Sequence, residues 1–302
     1  MNNALELKNI SKKYGNYQAL DNISFTVPIG SIFGILGPNG AGKTTMLRII
    51  TGIFLQDSGE VRLDGKLANG LSNSASIGYM PEERGLYKKM KVEEQVIYLA
   101  QLKGMAYSDA KEKVNTWFQR LGMEDWKNKK MEELSKGMGQ KLQFVCTVVH
   151  NPSLIILDEP FTGLDPLNAD LIKDEIFNLA KQGSTILFST HRMEQVDEIC
   201  NQIVLINKGK IILNNNVKDA RKSYQNNQFI IETEAINAFE NSDFFNIIKS
   251  ENQTVTLQLH DMKTIHDILS FIVSNKIQIQ SIRENLPTLH EIFIQLVKED
   301  NI

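Results

Sequence analysis

The sequence predicts an α/β fold built on a doubly wound parallel sheet, followed by a smaller α+β domain. Three observations carry this reading. A β-rich run, SIFGIL at 31–36, ends in a glycine cluster and passes at once into helical spacing. Short apolar strands then alternate with helices between Leu154 and Leu213, and an asparagine run at 214–216 interrupts that pattern.

Each element follows from its local pattern. LELKNI and NISFTV read as strands within the first thirty residues. After the glycine cluster, TTMLRIITG supplies Met46, Leu47, Ile49 and Ile50 to one helix and a glycine stop at Gly52. From about Val92 to His150 the spacing becomes helical, with Val92, Val96 and Leu99 on one stripe and Val114, Trp117, Phe118 and Leu121 on another, so about 88–150 reads as a helical insertion. Strand signals resume with LIILD at 154–158, a helix over roughly Leu167 to Leu179, TILFST at 185–190 and IVLINKGKIIL. The expected division is 1–213 for the first domain and 214–302 for an accessory domain. There FIIET and TVTLQL read as strands, while Ile265, Ile268, Leu269 and Ile272, then Leu289, Ile292, Phe293 and Leu296, read as helix stripes.

Composition narrows the function classes. The 302 residues carry 33 Lys and Arg against 36 Asp and Glu, a net charge of −3, which gives no electrostatic case for nucleic acid or a polybasic membrane anchor. An anionic ligand has to be held locally. Cys146 and Cys200 form no CxxC pair and read as small core residues. No apolar run approaches the roughly 18 to 20 residues of a spanning helix, and MNNALELKNI lacks the pattern of a secretory signal. A cytoplasmic protein is expected. His260, His266 and His290 are too scattered for a metal site and read as surface or helix-face residues.

GPNGAGKTT at 37–45 fits GxxxxGK[ST] between a predicted strand and helix, the context that makes this motif a phosphate cradle. Gly37, Pro38, Asn39, Gly40, Ala41 and Gly42 form the loop whose N–H groups converge on phosphate oxygens, at the positive end of the following helix. Lys43 is expected on the β- and γ-phosphates, the Thr44 hydroxyl on Mg2+, and Thr45 beside them. LIILDEP at 154–160 ends a strand in two acids, where open α/β sheets bind ligands. Asp158 suits a magnesium contact, and Glu159 suits the polarising of an attacking water.

These motifs, with LSKGMGQK at 134–141, GLDP at 163–166 and STH at 189–191, resemble the ATP-binding subunits of ABC transporters over about residues 5–213. The resemblance implies a P-loop ABC ATPase core with an N-terminal antiparallel β subdomain and the helical insertion. ATP and Mg2+ are the implied cofactors. Tyr14 in KKYG resembles the aromatic that stacks on adenine, with Tyr17 as competitor. Ser135 and Gly137 resemble the signature that closes over a second subunit's nucleotide, Asp165 the inter-subunit contact of the D-loop, and His191 the histidine on the γ-phosphate. Three positions depart from the common pattern. Lys136 and Met138 stand where a glycine and a glutamine are usual in the signature, and IGYMPEERGLY at 77–87 puts Glu82 in the Q-loop position. An acid there can still ligate magnesium or orient water.

The Q-loop segment, the signature and PTLHEIFIQLV at 287–297 resemble the NatA-like exporters in particular, a branch associated with sodium or drug extrusion. The implied partners are separate membrane-spanning permease subunits and a second ATPase chain, identical or paralogous, with no nucleic acid. The implied place is the cytoplasmic face of the membrane. The alternative is a soluble ATP-dependent switch acting on ribosomes or DNA. One P-loop, the absence of sustained heptads and the near-neutral charge argue against it.

Overall fold

The computed structural model describes residues 3–68, 75–83 and 85–299. The chain divides into two compact units, Met1–Val217 and Lys218–Ile302.

The first unit opens with a long hairpin, β1 (Asn3–Tyr14) and β2 (Tyr17–Pro28), in which Ile23, Phe25 and Val27 alternate inward. β3 (Ile32–Leu36) is buried throughout and leads through the glycine loop into α1 (Lys43–Ile50). β4 (Ser58–Leu63) and β5 (Lys66–Leu67) join the hairpin in an antiparallel sheet of order β2-β1-β4-β5. β6 (Ile77–Met80) returns to the core. The insertion follows as α2 (Val92–Leu102), α3 (Tyr107–Leu121) and α4 (Lys136–Val148). β7 (Leu154–Asp158), α5 (Pro166–Lys181), β8 (Thr185–Thr190), α6 (Met193–Ile199) and β9 (Gln202–Asn207) complete the α/β alternation, and β10 (Lys210–Asn216) closes the sheet.

The core sheet has the order β10-β9-β3-β8-β7-β6, parallel except for the antiparallel edge strand β10. Parallel pairing brings the carboxyl ends of β3, β6, β7 and β8 to one edge, although Leu36, Met80, Asp158 and Thr190 are far apart in sequence. The antiparallel and core sheets share one hydrophobic cluster, in which Phe25 stacks on Phe33 with centroids 5.4 Å apart. Each large side chain buried there contributes about 1.5 to 3 kcal/mol, which fixes the glycine loop against both sheets. Asn214–Asn216, expected to open the second domain, belong to β10, and the compact unit closes at Val217.

From Lys218 on, the second unit carries the rest of α7 (Val217–Ser223), then β11 (Gln228–Glu232), β12 (Phe245–Glu251), β13 (Thr254–Leu259), α8 (Ile265–Ser274), β14 (Ser281–Glu284) and α9 (Leu289–Glu299). The four strands form an antiparallel sheet of order β12-β13-β11-β14, with Ile268 and Ile272 of α8 in its core beside Phe239 and Phe245. Among the described residues no helix is long and apolar enough to cross a membrane.

Candidate nucleotide site

The glycine loop follows β3 because its backbone needs conformations that side chains resist. Gly42, the residue before α1, has φ +110°, and a Cβ there would stand 2.5 Å from the Ala19 carbonyl oxygen. The first intrahelical bond closes only at Met46, whose N–H donates to the Gly42 carbonyl at 3.0 Å. The N–H groups ahead of it have no helical acceptor and face the loop side. Lys43 is buried at the start of α1, with Nζ donating to the Gly37 and Pro38 carbonyls at 2.6 and 3.1 Å. Burial holds its pKa below the ordinary lysine value, against the pull of Glu159, Asp158 and Glu82.

A cavity of about 350 Å³ lies over this loop, lined by Tyr17, Ala19, Asn39 through Thr45, Glu82, Asp158 and Glu159. Its floor comes from three strand ends and one helix start. Asp158 closes β7, with Oδ2 3.5 Å from the Thr44 hydroxyl. Burial, reinforced by Glu159 and Glu82, pushes its carboxyl up to about 6 despite Lys43. The oxygens of Thr44, Asp158 and Glu82 are the hard donors magnesium takes. Among the described residues no group of three or more His, Cys, Asp and Glu is arranged to hold an ion unaided. An ion completed by phosphate oxygens needs only one or two protein ligands.

Glu159 is locked from several sides. Its φ is +52°, a left-handed conformation that costs a non-glycine residue about 1 to 3 kcal/mol and persists only where surroundings impose it. Oε1 accepts from the His191 backbone N–H at 2.7 Å and from His191 Nδ1 at 2.6 Å, and Oε2 accepts from the Thr190 hydroxyl at 3.1 Å. Its own N–H donates to the Ser189 carbonyl at 2.9 Å. Donation from Nδ1 leaves the His191 Nε2 free to face a different partner.

The protein-family model described as ABC transporter matches residues 20–162, and the model of the C-terminal domain of DrrA1-3-like ATP-binding proteins matches 216–297. The ABC transporter ATP-binding protein YhaQ of Bacillus subtilis is 40% identical over 97% of this chain and 98% of its own length. The chain belongs to the ATP-binding subunits of ABC transporters. The linearmycin resistance ATP-binding protein LnrL, also of Bacillus subtilis, is 27% identical over 97% of each chain. A solved ATP-binding subunit of an ABC transporter superposes with a TM-score of 0.68 at 27% identity, covering 73% of this chain and 93% of that one. An ATPase of this family hydrolyses ATP to power transport.

In this ABC subunit the residues assigned from sequence fall into two groups. Asn39 through Thr45, Glu82, Asp158 and Glu159 share the cavity, and His191 joins it through Glu159. Gly37 and Pro38 contribute the carbonyls that hold Lys43. Tyr14, expected on adenine, does not line the cavity. It is partly exposed and meets Phe54 edge-on with centroids 6.2 Å apart. Tyr17, its register partner at the hairpin tip, does line the cavity and donates its hydroxyl to the Gly40 carbonyl at 3.0 Å. Ser135, Gly137 and Asp165 also lie outside the cavity lining. Ser135 caps α4 by accepting from the Met138 N–H at 3.3 Å, and Asp165 caps α5 by accepting from the Asn168 N–H at 3.0 Å.

Sequence reasoning placed Gln140 in the signature motif without a role and did not single out Gln143, although both amides tie α4 to the site. Buried Gln140 donates Nε2 to the Pro160 and Glu159 carbonyls at 2.9 and 3.3 Å, and Gln143 donates to the Pro81 carbonyl at 2.6 Å. The available signal was the place of Gln140 in LSKGMGQK, with Gln143 about one helical turn further on.

Proposed function

We propose that this subunit is the ATP-hydrolysing motor of an exporter, working as a dimer docked on separate membrane-spanning subunits at the cytoplasmic face. The observation that carries the catalytic part is the convergence of Lys43, Thr44, Glu82, Asp158 and Glu159 on one cavity at the shared edge of four strands. Lys43 and the loop N–H groups hold the β- and γ-phosphates. Thr44 and Asp158, with Glu82 nearby, would hold Mg2+, which would neutralise charge on the phosphates. Glu159 orients the attacking water, and His191 is positioned by Glu159 to donate toward the γ-phosphate. Tyr14 offers its ring to adenine, while Tyr17 pins the loop at Gly40.

The positions of Ser135, Gly137 and Asp165 outside their own chain's cavity support a role at a second chain's nucleotide, in two composite sites of a two-fold dimer. ATP binds such a closed dimer preferentially, and hydrolysis releases it. Full-length likeness to a linearmycin resistance ATP-binding protein supports a drug-like cargo, with sodium the other cargo that the resemblance implies.

Glu159→Gln and Lys43→Ala test the catalytic assignment. Glu159→Gln keeps nucleotide affinity, loses hydrolysis by about 100-fold or more, and accumulates an ATP-bound dimer in size-exclusion chromatography. Lys43→Ala loses binding itself. Wild-type turnover in Glu159→Gln contradicts the assignment.

A further inference from the structure

Two of the three departures from the family pattern carry opposite charges, and the fold brings them together. Glu82 of the Q-loop segment and Lys136 of the signature lie far apart in sequence, yet both line a second cavity of about 440 Å³, with Glu83, Gln140 and Thr162. Glu82 also lines the nucleotide cavity, where it acts on Lys43 and Asp158. It therefore stands on the wall between the two. Gln140, which also lines the second cavity, donates to the Glu159 and Pro160 carbonyls.

The stem of Lys136 is placed as well as its charge. A Cβ on Gly163 would stand 2.8 Å from Cγ, Cδ and Cε of Lys136, so the stem lies across this glycine, whose φ of +81° suits no side chain. The side chain of Lys136 runs from the start of α4 over the Gly163 turn and shares its cavity with the two acids Glu82 and Glu83 of the Q-loop segment. A neutral glycine and glutamine, usual at these two positions, place no opposite charges on this cavity. An acid introduced beside Asp158 and Glu159 adds like-charge repulsion to the nucleotide cavity, and a cation on its far side draws that charge away.

We propose that Lys136 is a positioning residue of the ATPase reaction, the counter-charge that holds the Glu82–Glu83 pair and sets how far Glu82 enters the nucleotide site. This rests on the cavity being the site of hydrolysis. Lys136 acts through Glu82, linking the signature helix to the magnesium side of the same chain's nucleotide.

Double-mutant cycles in the full chain test it. Lys136→Met keeps the stem over Gly163 and removes the charge, while Lys136→Arg keeps both. Lys136→Met lowers kcat for ATP by about threefold at low salt, the range of an interaction between exposed charges. Combined with Glu82→Gln or Glu83→Gln it costs no more than the poorer single variant, a coupling of about threefold. Lys136→Arg retains the wild-type rate. At about 1 M salt the coupling fades as the Debye length falls to about 3 Å. Effects that simply multiply in both cycles, or a Lys136→Met rate equal to wild type, overturn the proposal. Failure of the underlying reading has a different signature, namely Lys43→Ala still binding and hydrolysing ATP.

Discussion

Asp158→Asn separates what the site does for chemistry from what it costs the fold. Asp158 is buried, and its carboxyl is pushed from 3.8 up to about 6, first by desolvation. At about 1.36 kcal/mol per pH unit, the ionised form costs the nucleotide-free fold up to about 3 kcal/mol. The sign follows from which state ionises first. Below pH 3.8 both folded and unfolded chains are protonated at this group and the cost is absent. Between 3.8 and about 6 the unfolded chain ionises while the folded one holds its proton, so this contribution to stability falls as pH rises. Above about 6 the cost is complete.

Asparagine keeps the shape without the charge. At pH 8, without nucleotide, Asp158→Asn is therefore more stable than wild type by up to about 3 kcal/mol, and at about 2 to 4 °C per kcal/mol the transition of the first unit rises by up to about 12 °C. The advantage shrinks on acidification toward pH 4.5. Saturating Mg-ATP stabilises wild type by mass action and leaves the variant nearly unmoved. Thermal and urea melts at the two pH values, with and without Mg-ATP, provide the readout. Equal or lower stability of Asp158→Asn at pH 8, or an advantage that ignores pH, refutes the reasoning.

Two further outcomes follow from the site. Glu82→Gln sustains hydrolysis at a reduced rate with an altered preference between magnesium and manganese, whereas Glu82→Ala slows turnover more and impairs transport; steady-state rates with each ion decide, and full activity in Glu82→Ala removes it from the site. Tyr14→Ala weakens ATP binding about tenfold through the lost stacking surface, while Tyr17→Phe, which loses only the bond to Gly40, keeps the affinity within about twofold; titration with a fluorescent ATP analogue checks the order of the two.

Much of the nucleotide site was legible because its chemistry is written in contiguous runs. IFGIL, LIILD and TILFST are short apolar stretches that only a buried parallel sheet accommodates, and their carboxyl ends carry Gly37, Asp158 and His191 directly. Once strands are parallel, those ends must share an edge. What stayed hidden depends on contacts across sequence. Gln140 and Gln143 act through carbonyls of Pro81, Glu159 and Pro160, and nothing local marks those partners. Asn214–Asn216 read as a break because asparagine disfavours strands, yet pairing with Gln202–Val204 holds them in β10. β12 was missed for a related reason, since FNIIKSE lacks alternation and pairs with β13 through an irregular register between Ile247 and Lys249. Only the fold reveals that Tyr17, not Tyr14, borders the phosphate cavity.

The central claim is that each nucleotide is served by the P-loop of one chain and the signature of another. Mixing tests it directly. Ser135→Arg blocks closure at the signature but leaves its own P-loop able to bind ATP, and Lys43→Ala disables the P-loop but leaves its signature intact, so each variant alone is inactive. A heterodimer of the two places both defects on one composite site and leaves the other whole. ATPase activity regained in the mixture is the predicted result; a mixture as inactive as its parents, with heterodimers confirmed, contradicts the account.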